Sequence, residues 1–520
     1  MPEAALFSLS DKTGAAELAR TVVDRGVTIY ATGGTKAFLA EAGIGARDVE
    51  DLTDSPPLFE GRVKTLHPKV FGAILRDRGK PAHDSEAREH GIADLRIVAV
   101  NLYPFEATVA AEGTALAEAI EQIDIGGVAL LRAAAKNFSA VSVLSHPAQY
   151  RDFLAALETG GPDEALRRRF AIAAFERTAE YDAAIAHYLA TEGEVLPEHL
   201  PGALTLTLPL AQPLRYGENP QLRAAFYVSD RTRLPGQLHG KELSYNNLLD
   251  LDATLRLLSR AAAPVSSAPE TDDAVRAAVV KHTVPCGVAQ RANATEALEA
   301  ALTTDAVSAY GGIVAVDAPV DEAAAAILRR FFLEIVAAPL FEPGALEVLR
   351  RRKNLRIMQY AGSLPDQLQG ELQLRSALGG VLAEQEDREF APERWRVASR
   401  REPQLQEWAD LSFAWDVVRH VKSNGVVMAH GGVTVGLCAG QTNRVSAVQI
   451  AGERAGTRAN GAACASDGFF PFADGLEAAA DAGCTAVIAP EGSVRDAEVI
   501  AAADRRGIAL VFSSRRYFLH

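Results

Sequence analysis

Short apolar segments alternate with helix-like segments over the first 145 residues, and this alternation constrains the fold more than any other feature. Helical patterns run from Ala15 to Arg25 and onward from about Thr35. The strand candidates are 5–10, 27–34, 96–105 and 140–145. Such alternation predicts a parallel sheet with helices on both faces. Because ligands of these sheets bind beyond the carboxyl ends of the strands, SDKTG, ATGGTK and NLYPF are predicted to surround one site.

A proline-rich segment separates this region from a second, larger one. Within residues 195–215 the prolines that predict a linker are Pro197, Pro201, Pro209 and Pro213. The clearest strand candidates after it are 278–282, 311–316, 425–430, 433–438, 485–490 and 508–513, and 261–273 is predicted to be a surface loop. A chain of 520 residues is too long for one core. We therefore predict a domain at 1–197 and a mixed α/β region at 198–520, divided roughly into subdomains 198–365 and 366–520.

Composition narrows the class of protein. The formal net charge of −14 argues against general binding to nucleic acid or to a membrane surface. No apolar run is long enough to span a bilayer, and the first residues lack the pattern of a signal peptide. The four cysteines are scattered, without zinc-ligand spacing, and are predicted to be buried thiols of a cytoplasmic protein: Cys286, Cys438, Cys464 and Cys484.

The segment GRVKTLHPK, residues 61–69, concentrates positive charge in this acidic chain. Its four basic side chains are Arg62, Lys64, His67 and Lys69. Glycine at its start and Pro68 within it favour a loop that directs several donors at one place. The segment therefore predicts an anionic partner, a small phosphorylated ligand. Taken alone, the segment would be interpreted as a solvated basic turn.

Two small-residue loops, each placed after a strand and before a helix, have the chemistry of a phosphate site. Their residues are Ser10, Lys12 and Thr13 in SDKTG, and Thr32, Gly33, Gly34 and Thr35 in TGGT. Accessible backbone N–H groups, hydroxyls and a helix N-terminus favour an anion. Neither a P-loop nor a dinucleotide-binding glycine fingerprint is present, and both loops would otherwise be ordinary turns and helix caps.

Other polar side chains are candidates that each have a structural alternative. Tyr103 would otherwise be a core aromatic, Asp124 a helix cap and Lys136 a surface lysine. In the second region Lys281 precedes His282 at the end of an apolar strand. A neighbouring ammonium keeps an imidazole neutral and able to accept a proton, although a histidine bonded to backbone would look the same.

The PCG segment at 285–287 excludes one class of enzyme. Zinc-dependent deaminases carry H-x-E followed by P-C-x-x-C. Cys286 has no cysteine three residues later, and no H-x-E precedes it. The chain therefore lacks that metal site, and no metal is required by the sequence.

Six segments together carry a resemblance to a known family: SDKTG, TGGT, GRVKTLHP, NLYPF, EQIDIGGVALLRAAAKN and ASDGFFPFADG. They resemble the bifunctional purine biosynthesis enzymes that join 5-aminoimidazole-4-carboxamide ribonucleotide (AICAR) formyltransferase to inosine monophosphate (IMP) cyclohydrolase. The resemblance runs nearly end to end. It implies a methylglyoxal-synthase-like cyclohydrolase domain followed by a formyltransferase region built from cytidine-deaminase-like folds without the metal.

The resemblance also assigns site residues in the first domain. The catalytic set that it implies for ring closure is Lys64, Tyr103, Asp124 and Lys136. Tyr103 and Lys136 would polarise the formyl oxygen, and Asp124 would transfer the amide proton. The nucleotide-binding set would be Ser10, Lys12, Thr13, Thr32, Gly33, Gly34, Thr35, Arg62, Lys64, Thr65, Gly126 and Gly127.

For the second region the resemblance implies formyl transfer from 10-formyltetrahydrofolate to AICAR. Lys281 and His282 would be the proton-transfer pair, and Asn424 would stabilise the oxyanion. Contacts to nucleotide or folate would come from Arg215, Tyr216, Asn247, Glu334, Arg444, Phe469, Asp474 and Arg516, and His520 also falls on a family histidine. The resemblance further implies a homodimer whose transferase sites lie where two chains meet.

Four positions depart from the family pattern. Gln221 and Val284 replace a usual His and Asn, His430 replaces a frequent Lys, and Glu334 stands where some members have Asp. We expect formyl transfer to survive with altered rate or folate affinity. Two alternatives stay open: an active cyclohydrolase with a weakened transferase, and a nucleotide-binding regulator without catalysis.

Overall fold

The computed structural model describes residues 3–111, 113–191, 203–228, 230–260, 274–362, 368, 372–385 and 393–520. The chain forms two compact units, Met1–Thr207 and Leu208–His520. The surface loop predicted at 261–273 lies outside the described residues, as do positions 195–202 of the predicted linker. The last part of that predicted linker is a strand, Leu210–Leu214, so the linker prediction was too long at its carboxyl end.

The first unit contains a five-stranded sheet in which every pairing is parallel. Its strands are β1 (Glu3–Leu9), β2 (Thr28–Ala31), β3 (Arg47–Asp48), β4 (Asp94–Asn101) and β5 (Ser142–Leu144), in the order β3-β2-β1-β4-β5. The four predicted strands and the parallel sheet are confirmed, whereas β3, only two residues long, was not predicted. β1, β4 and β5 are mostly apolar runs because both faces of the sheet are buried there.

Ten helices surround this sheet in the described part of the first unit. They are α1 (Ala15–Asp24), α2 (Gly33–Glu41), α3 (Glu50–Thr53), α4 (Pro68–Leu75), α5 (Pro81–Glu89), α6 (Phe105–Val109), α7 (Leu116–Glu121), α8 (Gly126–Lys136), α9 (Tyr150–Glu158) and α10 (Glu164–Thr191). Two 3-10 helices lie at Phe59–Gly61 and Pro147–Gln149. The fully buried Tyr181 of α10 packs edge-on against Phe105, with ring centroids 6.1 Å apart.

A buried ion-pair cluster joins the start of β4 to the end of α4. Arg76 Nη2 and Arg78 Nε lie 2.5 Å and 2.9 Å from Asp94 Oδ1. Burial alone would raise the pKa of Asp94, but the hydrogen bonds from Arg78 and Arg76 outweigh it and bring the pKa below its usual range.

The described part of the second unit contains two separate two-stranded sheets, each a hairpin, and one large mixed sheet. The hairpins are β6 (Leu210–Leu214) with β7 (Ala224–Tyr227), and β14 (Leu372–Ala377) with β15 (Gly380–Gln385). The sheet strands are β8 (Gly236–His239), β9 (Val275–Lys281), β10 (Val284–Arg291), β11 (Gly312–Val316), β12 (Leu333–Ala338), β13 (Arg356–Gln359), β16 (Trp395–Val397), β17 (Val426–His430), β18 (Val433–Cys438), β19 (Ala463–Ser466), β20 (Ala486–Pro490) and β21 (Ala509–Ser513). All six strands predicted for this region are among them.

The twelve-stranded sheet repeats one topology twice. Its order is β16-β21-β20-β19-β17-β18-β10-β9-β11-β12-β13-β8, so the hairpins β9–β10 and β17–β18 meet at its centre. Three parallel strands and an antiparallel edge strand follow on each side. The sheet is continuous across both halves, and the subdomain boundary proposed near residue 365 stays a prediction.

The helices of the second unit repeat in the same way. The first half contains α11 (Tyr245–Arg256), α12 (Ala294–Thr304), α13 (Glu322–Leu328) and α14 (Pro343–Arg350), and the second contains α15 (Leu405–Val418), α16 (Arg444–Ala455), α17 (Asp474–Ala482) and α18 (Asp496–Arg506). Short 3-10 helices lie at Arg231–Arg233 and Gly456–Ala459. Helices α11 and α15 share one hydrophobic core on one face of the sheet, while α12–α14 and α16–α18 cover the other face.

Candidate active sites

The loop after β1 is tied to the end of β4 by a side chain that the sequence analysis did not select. Asn101 Oδ1 accepts the N–H groups of Ser10 (2.5 Å) and Asp11 (2.9 Å). Asn101 Nδ2 donates to the Asp11 carbonyl at 2.6 Å. Lys12 Nζ lies 3.3 Å from the Ser10 carbonyl, so the loop also folds back on itself. Asn101 opens the NLYPF motif, and its position at a strand end was the available signal.

The second predicted loop begins α2, with Thr32 as its N-cap. No side chain caps this helix end, and a methyl group at Gly33 or Gly34 would meet nothing within 4 Å. The first-turn N–H groups are therefore accessible to an anion. Thr35 has a different part: its buried hydroxyl accepts the Leu9 N–H at 2.9 Å and donates to the Leu9 carbonyl at 3.2 Å, which holds α2 against β1.

The basic segment is a loop that leads into α4, as predicted, but its four cations do not act together. Arg62 forms an ion pair with Glu121, and Lys69 forms one with Asp54. His67 Nδ1 accepts the Lys69 N–H at 3.2 Å and caps α4. The expected cationic cluster therefore reduces mainly to Lys64, whose charge acts on Asp124.

Asp124 stands at the N-terminus of α8 beside Tyr103. Its Oδ1 accepts the Gly127 N–H at 2.7 Å, and its own N–H donates to the Tyr181 hydroxyl at 2.9 Å. Burial raises the pKa of Asp124, although backbone hydrogen bonds from Gly127 and Tyr103 and the charge of Lys64 oppose the rise. Burial and the charge of Asp124 together raise the pKa of Tyr103. Three of the four predicted ring-closure residues therefore interact electrostatically.

Packing requires glycine at positions 126 and 127, at the start of α8. A methyl group at Gly126 would come within 2.9 Å of the Thr65 hydroxyl, and one at Gly127 would strike the Asp124 carboxylate. Thr65 is buried beneath that point. Lys136, the fourth ring-closure candidate, is exposed at the other end of α8, about 15 Å along the helix axis from Gly126. The chain does not bring Lys136 to the Asp124 end of the helix.

In the second unit, Lys281 and His282 line a cavity of about 730 Å³ together with Val284 and Cys286. Lys281 ends β9, and its Nζ donates to the Tyr310 carbonyl at 2.6 Å. The cationic side chains Arg454 and Arg458 border the same cavity. Burial raises the pKa of the Cys286 thiol to about 11, so this cysteine is a poor nucleophile.

Asn424 lies at the same edge of the twelve-stranded sheet as Lys281. Val284 pairs with Lys281, Val426 pairs with Cys438, and the β10–β18 register brings these pairs to one level. Three strand spacings of about 4.8 Å, roughly 14 Å, then separate β9 from β17. Asn424 has a left-handed backbone, with φ of 55°, and its Nδ2 donates to the Gln441 carbonyl at 2.8 Å.

Arg444 is buried rather than presented on a surface. It forms an ion pair with the fully buried Asp467, and a methyl group at Gly468 would overlap its guanidinium. Burial raises the pKa of Asp467, and the charge of Arg444 opposes the rise. The remaining predicted contacts of this half are accessible: Phe469 is half-buried, and Asp474 and Arg516 are exposed.

Four residues predicted to contact nucleotide or folate lie in the first half of the second unit, and they form two pairs. Arg215 stacks on Tyr216, with its guanidinium carbon 4.6 Å from the ring centre. Asn247 Nδ2 donates to Glu334 Oε2 at 2.9 Å, and its Oδ1 accepts from Ser244 in the cap of α11. Arg356 joins the pairs: it lies 3.6 Å from Glu334, while burial and then the charge of Arg215 lower its pKa. The sequence analysis missed Arg356 because it carries no motif.

Two kinds of site are absent from the described residues. No group of three or more His, Cys, Asp or Glu side chains is placed to hold a metal ion there. No described helix is both long and apolar enough to cross a membrane.

Two compact units, each with titratable side chains at one edge of a sheet, define the chain as a mixed α/β protein. A family model described as AICARFT/IMPCHase bienzyme matches residues 134–454, and one described as MGS-like domain matches residues 14–129. The bifunctional purine biosynthesis protein PurH of Chloroflexus aurantiacus is 49% identical over 520 residues, which cover 99% of this chain and 98% of the relative.

Proteins of the same name from Synechococcus elongatus and Prochlorococcus marinus are 45% and 47% identical, and each alignment covers 100% of both chains. The chain therefore belongs to the AICARFT/IMPCHase bienzyme family. It is a bifunctional enzyme of purine biosynthesis with AICAR formyltransferase and IMP cyclohydrolase activities. The resemblance stated from the sequence is confirmed.

Proposed function

We propose that the two activities are divided between the two compact units. The first unit closes the ring of formylated AICAR to give IMP, and the second transfers the formyl group from 10-formyltetrahydrofolate to AICAR. The observation that carries this division is that each unit has its own acid–base set: Asp124 with Tyr103 and Lys64 in one, and Lys281 with His282 in the other. Domain limits at 1–197 and 198–520 are part of the same proposal.

In the first unit, ring closure needs an oriented nucleotide, a proton acceptor and a donor for the developing oxyanion. The accessible N-terminus of α2 and the loop held by Asn101 are suited to bind the phosphate. The carboxamide nitrogen attacks the formyl carbon, Asp124 takes the amide proton, and water then leaves. Burial raises the pKa of Asp124, which makes its carboxylate a stronger base for the amide proton. Tyr103, beside Asp124, polarises the formyl oxygen; Lys136, at the far end of α8, is left out of this step.

In the second unit, the 5-amine of AICAR attacks the formyl carbon of the folate. A carbon–nitrogen bond forms as the bond to the folate nitrogen breaks, and His282 moves the amine proton toward that leaving nitrogen, beside Lys281. The Asn424 amide has two N–H groups and uses one on the Gln441 carbonyl. The other is available to the oxyanion.

We further propose that the enzyme acts as a homodimer in the cytoplasm, with transferase sites shared between chains. The spacing of roughly 14 Å between β9 and β17 supports a site completed by a second chain, because a single formyl group does not span it. Substrate contacts are assigned to Arg215, Tyr216, Asn247 and Glu334, with Arg356 added by the structure. The buried Arg444 would act through the Asn424 turn.

The test resolves both activities in one preparation of the full chain. AICAR and 10-formyltetrahydrofolate are added to wild type, His282→Ala and Asp124→Asn, and tetrahydrofolate, formylated AICAR and IMP are followed over time. We expect His282→Ala to stop tetrahydrofolate release yet still convert added formylated AICAR to IMP. Asp124→Asn should release tetrahydrofolate and accumulate the formylated intermediate. Loss of the same activity in both variants would contradict the division.

A further inference from the structure

The turn that carries His282 has an unusual backbone for its residues. His282 and Thr283 connect β9 to β10 with φ of 56° and 60°. A two-residue hairpin with both residues in the left-handed region is a type I′ turn, which favours Asn and Gly. A β-branched threonine in that region is an outlier. Something outside the turn must therefore favour this conformation.

The structure repeats this hairpin with different residues. In the second half of the sheet, Gly431 and Gly432 connect β17 to β18 with φ of 57° and 70°. Asp410 on α15 accepts both N–H groups, at 3.0 Å from Gly431 and 2.9 Å from Gly432. Glycine adopts this conformation without strain, so the backbone of this turn does not depend on the carboxylate.

The first half has the same carboxylate in the same place. Asp250 on α11 accepts the His282 N–H at 3.2 Å and the Thr283 N–H at 2.7 Å, and one carboxylate oxygen serves each N–H. Asp250 and Asp410 are each the sixth residue of their helix. Both halves thus have a helix carboxylate that accepts the two N–H groups of the turn. Only in the first half does this carboxylate hold non-glycine residues in the left-handed region.

We propose that Asp250 is a positioning residue for formyl transfer, and this rests on the proposed function of His282. By binding both N–H groups, the carboxylate holds the His282–Thr283 turn in its left-handed form and fixes the imidazole at the cavity mouth. Lys281 is fixed independently, through its bond to the Tyr310 carbonyl. Without Asp250 the turn relaxes toward conformations that Thr283 prefers, and the imidazole leaves its position.

The experiment compares Asp250→Asn with Asp410→Asn in the full-length protein. Asparagine keeps the shape and one acceptor oxygen but removes the charge and directs an N–H₂ toward the second N–H. We expect Asp250→Asn to lower kcat for formyl transfer by about 10- to 100-fold, with KM for AICAR within about twofold, because the loss is one of orientation. Conversion of added formylated AICAR to IMP should stay at the wild-type rate. Asp410→Asn, the matched control, should leave kcat for transfer unchanged even where it lowers the unfolding temperature.

A rescue separates positioning from general stability. Thr283→Gly, which gives the turn a residue that adopts the left-handed region freely, should restore much of the lost kcat in Asp250→Asn. Wild-type kcat in Asp250→Asn, or equal losses in Asp250→Asn and Asp410→Asn, would overturn the proposal. Absence of rescue by Thr283→Gly would also count against it.

His282→Ala and amide hydrogen exchange distinguish failure of this inference from failure of the proposed function. If His282→Ala transfers formyl at the wild-type rate, the proposed role of His282 is wrong. Amide hydrogen exchange over residues 279–285 then tests whether Asp250 holds the turn, independently of any role of His282 in transfer. Faster exchange at His282 and Thr283 in Asp250→Asn would support the proposal that Asp250 stabilises the turn, and unchanged exchange would overturn it.

Discussion

Replacing Gly127 by alanine tests the link between packing and ring closure. A methyl group there would lie 2.9 Å from Asp124 Cγ and 3.0 Å from Oδ1, and closer still to Oδ2, whereas ordinary contact begins at 3.4 Å. The 2.9 Å contact alone requires Cγ to retreat by about 0.5 Å, and Oδ2, which is closer, must retreat further. That movement pulls Oδ1 away from the Gly127 N–H, now at 2.7 Å.

Two opposing free energies set the effect on stability. Alanine in place of glycine near the start of α8 stabilises the helix by about 0.5–1 kcal/mol. Loss of a hydrogen bond to a charged acceptor costs about 1.5–3 kcal/mol. The free energy of unfolding should fall by about 0.5–2.5 kcal/mol, with about 2–4 °C of Tm for each kcal/mol in a unit of this size. Displacement of Asp124 should slow ring closure by about 10- to 100-fold.

The assay follows IMP formation from added formylated AICAR, with calorimetry on the same samples. Gly45→Ala is the matched control, because a methyl group at that exposed glycine would meet nothing within 4 Å. Formyl transfer, which we place in the other compact unit, should not change in either variant. If Gly127→Ala matches Gly45→Ala in both ring closure and Tm, the proposed tie between Gly127 and Asp124 is wrong.

Two further predictions concern charge and chain sharing. Asp94→Asn should lower the free energy of unfolding at pH 7 by about 3 kcal/mol, because it breaks a buried pair. Since folding lowers the pKa of Asp94, its stabilising contribution is complete above the unfolded value of 3.8 and is lost as pH falls through the folded pKa. The difference in the free energy of unfolding between wild type and variant, measured by denaturant titration, should therefore be constant from pH 5 to 8 and should shrink in stronger acid. A difference that grows in stronger acid would contradict the lowered pKa of Asp94. Mixing inactive Lys281→Ala and Asn424→Asp chains should restore part of the formyl transfer if sites are shared, and confirmed mixed dimers without activity would exclude sharing. Arg444→Ala is unsuitable for this mixture, because it would leave Asp467 buried without its partner.

The first unit was predictable from the sequence because its strands are buried on both faces. Runs such as IVAV at 97–100 are apolar throughout, and helical periods separate them. The parallel sheet and the loops at one of its edges can therefore be predicted. The two-residue strand β3 has too few residues to show any period. Helix α8 also places Asp124 and Lys136 at opposite ends, a separation that follows from the sequence spacing only once the segment between them is recognised as a helix.

Site residues were harder to predict where a side chain serves the protein itself. The hydroxyl of Thr35, the ring of His67 and the guanidinium of Arg444 all sit in motif positions, yet each is committed to Leu9, to the cap of α4 or to Asp467. These partners lie 26, 2 and 23 residues away. Motifs report which residues matter, and only tertiary contacts show whether a residue acts on a ligand or on another residue.

The repeated hairpins show where that distinction can be read from backbone conformation. One backbone solution, a left-handed turn bound by a helix carboxylate, occurs twice in one sheet. The glycines of the Gly431–Gly432 turn adopt left-handed φ values without strain, whereas the His282–Thr283 backbone is strained in the same conformation. A chain that needed only the fold could use glycine in both places. His282, in the strained turn, also lines the cavity. We infer that the backbone strain is retained because the site requires the His282 side chain, and that the hydrogen bonds to Asp250 offset this strain.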